Sequence, residues 1–123
     1  MAKTVLVVDD KTNVRTLLRE YLSEEGFRVV TAANGREALY TARHEKPDLI
    51  LLDIMMPDIK GTEVCRTIKS DEETKDTQII VLSAYLDEEK FEEMKRNGAD
   101  LCFSKPLPLP QLKEEVARLL NLD

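Results

Sequence analysis

The sequence predicts an α/β fold: a doubly wound (βα)5 domain around a five-stranded parallel sheet in the order 2-1-3-4-5. Three observations carry this. Short apolar runs alternate with helix-patterned segments five times along the 123 residues. Each run is too short for a helix. Three of the runs are continuously apolar, as strands buried on both faces are. Such alternation favours parallel strands with helices on both sides, and right-handed crossovers restrict the topology further.

Each element has its own signal. The first run is VLVV at 5–8. Val14, Leu17, Leu18, Tyr21 and Leu22 then make one helical stripe, which Gly26 ends. The second run, RVVTA at 28–32, is the most polar and reads as an edge strand. Asn34 can cap the helix after it, with Glu37 three residues on as a capping-box variant. The third run is LILL at 49–52, and Val64, Cys65 and Ile68 share one face of the helix that follows. The fourth is IIVL at 79–82. Its helix, from about Asp87 to Asn97, has acid in the first turn, Lys95 and Arg96 in the last, and Gly98 beyond. Only Phe91 and Met94 are large and apolar there, so its grip on the core should be weak. After LCF at 101–103, Pro110 fits the first position of a fifth helix with Leu109, Leu112, Val116, Leu119 and Leu120 on its inner face.

The length suits a single domain, residues 1–123, able to bury its own core. At 42% hydrophobic and 34% charged, the composition is that of a soluble chain and not a disordered one. A net charge of −6 argues against a broad nucleic-acid-binding surface. No apolar run approaches the roughly 20 residues that cross a bilayer. The start, MAKTVLVVDD, does not read as a signal peptide. Cys65 and Cys102 show no ligand spacing with His44, so free thiols and a cytoplasmic location are expected.

The polar residues fall at the strand ends. Asp9 and Asp10 follow the first strand and Asp53 the third. Ser83 and Ala84 follow the fourth; Ser104, Lys105 and Pro106 follow the fifth. After the second come only Ala33, Asn34 and Gly35, a turn and a cap. Parallel strands point their carboxyl ends one way, and ligands bind where the strand order reverses. In the order 2-1-3-4-5 that point lies between strands 1 and 3. Asp9, Asp10 and Asp53 then converge, with Ser83 and Lys105 along the same rim. Asp53 should sit at the tip of a rigid strand, half out of the core. Clustered carboxylates repel and raise one another's pKa values. A divalent cation relieves this, and oxygen-only ligands suit Mg²⁺. With an ammonium and a hydroxyl beside it, such a pocket suits a phosphoryl group. An aspartate carboxylate can itself be the nucleophile.

The motifs VLVVDD, PDLILLDIMMP, IIVLSA, NGAD and SKP, in this order and each after an expected strand, closely resemble the receiver domains of two-component response regulators, the CheY-like branch of the flavodoxin-like folds. The resemblance covers essentially the whole chain. It implies that Asp53 is the phosphoacceptor and that Asp10 is a direct Mg²⁺ (or Mn²⁺) ligand. Asp9 would bind the metal through water, and Met55 would contribute its backbone carbonyl. It further implies that Ser83 is the switch hydroxyl and that the Ala84 N–H and Lys105 contact the phosphate. Pro106 would follow a cis peptide. A sensor histidine kinase or phosphotransfer protein would be the donor. Output would pass through the fourth helix, fifth strand and fifth helix to a protein partner or a second copy, with no direct contact to nucleic acid or membrane. Such a domain catalyses its own phosphotransfer and dephosphorylation but is a switch and not a turnover enzyme.

Some residues depart from the family pattern. Cys102 stands where a switch aromatic is common and cannot fill a ring's space, while Phe103 should point into the core. Lys60 replaces a frequent acid, and LPLPQL follows Lys105-Pro106 in place of the pattern of DNA-binding regulators. Tyr85 lies beside the expected site mouth. It is either a plain loop residue or, with Met55, a screen against water. A haloacid-dehalogenase-type phosphatase would need an Asp where Met55 stands. A flavodoxin-like cofactor site would want a Gly/Ser/Thr-rich loop where DDKTN lies.

Overall fold

The computed structural model describes residues 2–84 and 86–122. Strands β1 (Thr4–Val8), β2 (Arg28–Ala32), β3 (Leu49–Leu52), β4 (Gln78–Ser83) and β5 (Leu101–Ser104) form one parallel sheet, ordered β2-β1-β3-β4-β5. This is the order expected from the sequence, with the polar second strand at an edge. Helices α1 (Thr12–Glu24), α2 (Gly35–Glu45), α3 (Gly61–Ser70), α4 (Glu88–Arg96) and α5 (Leu109–Leu119) connect and follow them.

Side chains alternate across each strand, so the sheet divides the core in two. Leu6, Val8, Ile50, Leu52, Ile79 and Val81 face α2, α3 and α4, where Ala38, Val64 and Met94 meet them. Val5, Val7, Leu49, Leu51, Ile80 and Leu82 face α1 and α5 through Leu18, Leu22, Leu112 and Val116. Cys102 and Phe103 fall on opposite faces: Cys102 lies in the first layer, and Phe103 packs half-buried against the second. Cys65 is core, as expected. Burial pushes its thiol up to about 12 and raises that of Cys102 as well, so neither is a ready nucleophile.

The helix ends follow the local chemistry. The Asn34 side chain accepts the Glu37 N–H at 2.9 Å, while the Glu37 carboxylate accepts the N–H of Ala33 at 3.2 Å, one residue before the usual capping-box donor. Asp87 caps α4 through the Lys90 N–H at 2.7 Å. Pro110 is the second residue of α5, not the first, because Leu109 begins the helix after Pro108. The N–H missing at that position is also one that no helix carbonyl accepts, so the displacement costs nothing.

α4 is the least embedded helix. Met94 is fully buried, while Phe91 is 36% exposed, which leaves one residue as its anchor. Met94→Ala is expected to destabilise the fold by about 2–5 kcal/mol, and Phe91→Ala by less, about 1 kcal/mol for its partly buried ring, as measured by urea unfolding.

Candidate functional site

β1 and β3 pair with Val8 opposite Leu52, so the next residue of each, Asp9 and Asp53, leaves the sheet side by side. The pairing continues one step further, because the Asp53 N–H donates to the Val8 carbonyl at 3.0 Å. The Asp9 N–H likewise donates to the Ala32 carbonyl of β2 at 3.2 Å. Asp10 follows on the exposed side. One carboxylate oxygen from each of Asp9, Asp10 and Asp53 lies within 4.8 Å of the others.

Lys105 arrives from the other end of the chain. Its N–H donates to the Ser83 carbonyl at 2.9 Å, which ties it to the tip of β4. The peptide to Pro106 is cis. The Lys105 ammonium donates to Asp9 Oδ2 at 2.8 Å and Asp53 Oδ2 at 3.2 Å. Each carboxylate gives its other oxygen to the backbone. Asp9 Oδ1 accepts the Lys11 N–H, and Asp53 Oδ1 the Met55 N–H, both at 2.9 Å. Two carboxylates only 2% and 4% exposed are thus each satisfied by one ammonium contact and one amide.

The aspartates do not cap α1. The cap residue is Lys11, which makes no side-chain cap bond, and the Asp9 carbonyl instead accepts from Arg15 Nη1 at 2.7 Å. Asp53 is more deeply buried than its expected half-exposed position. Its pKa is raised chiefly by desolvation and only slightly by the Asp9 charge, while Met55 and Lys105 oppose the rise. Crowding of like charges is therefore the minor cause. Burial lowers the Lys105 pKa, but Asp9 and Asp53 outweigh it, and the ammonium is held above its ordinary range.

The remaining site residues take positions around this centre. Ser83 is fully buried at the end of β4, opposite Ser104 and on the same face as Val81 and Cys102. Ala84 is exposed at the following turn, and Met55 and Pro106 are exposed as well. Tyr85 lies outside the described residues, as does any role it has as a screen. A cleft of about 440 Å³ opens beside the acids, lined by Asp10, Met55, Met56, Lys60, Lys90 and Glu93. Sequence reasoning missed Asp58, which accepts the Gly35 N–H at 2.9 Å and the Arg36 N–H at 3.0 Å. Its only local signal is an acid in the MPDIKG loop; its partners lie 22 and 23 residues away.

Residues 5–117 match the family described as the response regulator receiver domain. The chain belongs to this family. Receiver relatives span nearly its whole length. The sporulation initiation phosphotransferase F of Bacillus subtilis is 34% identical, over 99% of this chain and 97% of its own. The polar-differentiation response regulator DivK of Brucella anthropi is 32% identical, over 98% of both. Among solved structures, a CheY-like receiver domain protein from Methanospirillum hungatei superposes with a TM-score of 0.93 at 29% identity, over 98% of this chain and 95% of that one. Vibrio cholerae CheY4 superposes at 0.90 and 33% identity, over 97% and 99%. As a receiver domain, the chain acts in two-component signalling. Its acidic cluster offers only oxygen donors, a set that can hold a hard divalent cation. No helix among the described residues is long and apolar enough to cross a membrane.

The raised pKa of Asp53 has a thermodynamic consequence. The folded chain holds that proton more tightly than the unfolded chain, so ionised Asp53 costs stability at neutral pH. The cost disappears as pH falls through the folded-state pKa. In EDTA, Asp53→Asn is expected to raise the melting temperature at neutral pH, with the gain shrinking on acidification. Thermal unfolding across pH measures this.

Proposed function

We propose that residues 1–123 form one receiver unit in which Asp53 is the phosphoacceptor, Ser83 the switch hydroxyl and Lys105 the phosphate-contacting cation. The observation that carries this is the Lys105 ammonium, bonded at once to Asp9 and Asp53 beside a third carboxylate. Asp10, Asp53 and the Met55 carbonyl would hold Mg²⁺, with Asp9 acting through water; Mn²⁺ fits the same donors. When bound, the ion supplies positive charge that offsets the carboxylates and polarises a phosphoryl group.

The chain's own residues do the rest. Lys105 and the Met55 N–H orient the Asp53 carboxylate. An Asp53 oxygen attacks the phosphorus of a phosphohistidine on a sensor kinase or phosphotransfer protein. The new P–O bond forms as the P–N bond breaks, and the imidazole leaves with its electron pair. Lys105, freed in part from Asp53, can follow the transferred oxygens, and the Ala84 N–H offers a further donor. The buried Ser83 hydroxyl lies at the end of the strand beside β5, so its movement reaches the Cys102 position on the same face. Cys102 is too small for a ring swing, so output rests on displacement of the weakly anchored α4 over β5 and α5. That face would bind a protein partner or a second copy. This is a cytoplasmic switch that turns over its own phosphoryl group and no independent substrate.

With a small phosphodonor such as acetyl phosphate and Mg²⁺, the wild-type chain is expected to gain one phosphoryl group by intact-mass spectrometry. Asp53→Asn or EDTA should abolish the gain, and amide shifts should change most on α4 and β5. Phosphorylation of the Asp53→Asn protein to the same extent would overturn the assignment.

A further inference from the structure

We propose that Asp58 is a positioning residue for the Asp53 site, acting by seating the loop at 54–60 on the N-terminus of α2. The proposal rests on the reading of Asp53 and Met55 given above. This loop carries the Met55 N–H that holds Asp53 Oδ1, so its placement sets the orientation of the carboxylate. Two of its attachments are local. One is the Met55–Asp53 bond. The other is Ile54 against Gly61, where a Cβ on the glycine would lie 2.5 Å from Ile54 Cγ2 and 2.9 Å from Ile54 Cα. Ile54 also belongs to the core layer, with Met56 and Ile59 packed against it, but these apolar contacts carry no directional bond that fixes the loop backbone.

The hydrogen bonds of Asp58 reach another part of the fold. The two oxygens of Asp58 accept the Gly35 and Arg36 N–H groups, first-turn donors with no partner inside the helix. The negative charge also faces the positive end of the α2 dipole. The Arg36 and Gly35 N–H groups hold its carboxyl below the usual carboxylate range. Next to it, Ile59 lies over Gly35, where an added Cβ would stand 2.9 Å from Ile59 Cβ. Only glycine permits that approach. Asn34, one residue away, caps the same helix end through Glu37 but makes no bond to the loop. The two caps therefore separate helix stability from loop placement.

The test is a magnesium chloride titration of unphosphorylated protein, followed by amide chemical shifts including that of Met55, with melting temperatures measured in parallel. Asp58→Ala is expected to bind Mg²⁺ about tenfold more weakly, as loss of an outer-shell support does. Asp58→Asn keeps one acceptor oxygen and should fall between it and wild type; it decides the matter if the alanine variant does not fold. Asn34→Ala should lower the melting temperature while leaving Mg²⁺ affinity unchanged. Wild-type affinity in both Asp58 variants overturns the positioning role, as does an equal loss in Asn34→Ala. A wild-type chain that neither binds Mg²⁺ nor takes up a phosphoryl group overturns the reading of Asp53 itself.

Discussion

The arrangement depends on one ammonium shared by two buried carboxylates. Asp9 and Asp53 come out of neighbouring strands almost without solvent, a position in which an unpaired carboxylate would be neutral or the fold would open. Lys105 makes the charged form tenable, and the Lys11 and Met55 amides take the oxygens it leaves. Asp53 nevertheless remains harder to ionise than an ordinary carboxylate. The site is therefore short of positive charge, which a divalent cation held by its oxygen donors would supply.

The rest of the fold can be understood as the support for that balance. β1 and β3 are buried on both faces, so the tips carrying Asp9 and Asp53 are held by packing on either side. Lys105 is placed by a strand end as well, through its own N–H to the Ser83 carbonyl. The groups that bear charge are thus rigid. α4 is held more lightly, attached by Met94 and flanked by exposed acid and Phe91. A fold with a stiff centre and one loosely held helix converts a small change of charge into a change of surface, because packed interiors do not deform continuously.

The loop after Asp53 is intermediate between these extremes. Its backbone touches the reactive carboxylate, yet it is exposed over much of its length. Its order comes from being fastened at both ends and in the middle, through Ile54, Gly61 and the α2 N-terminus. Exposed loops that carry function are commonly positioned by a rigid scaffold in this way. Here the scaffold is a helix end whose unpaired donors would otherwise need water.

The five-fold alternation, the edge strand and the cap at Asn34 were legible in the sequence, because short-range periodicity and capping depend on neighbours within a few residues. So were Asp53, Lys105 and the other strand-end residues, since a parallel sheet gathers the carboxyl ends of its strands at one edge. The tertiary structure alone decided how deeply Asp53 is buried, that desolvation more than like-charge crowding raises its pKa, and that one ammonium bridges Asp9 and Asp53. It also decided the bonding of Asp58, whose partners lie at the start of α2. Each of these is set by desolvation or by contacts between distant segments, and neither leaves a periodic trace along the chain.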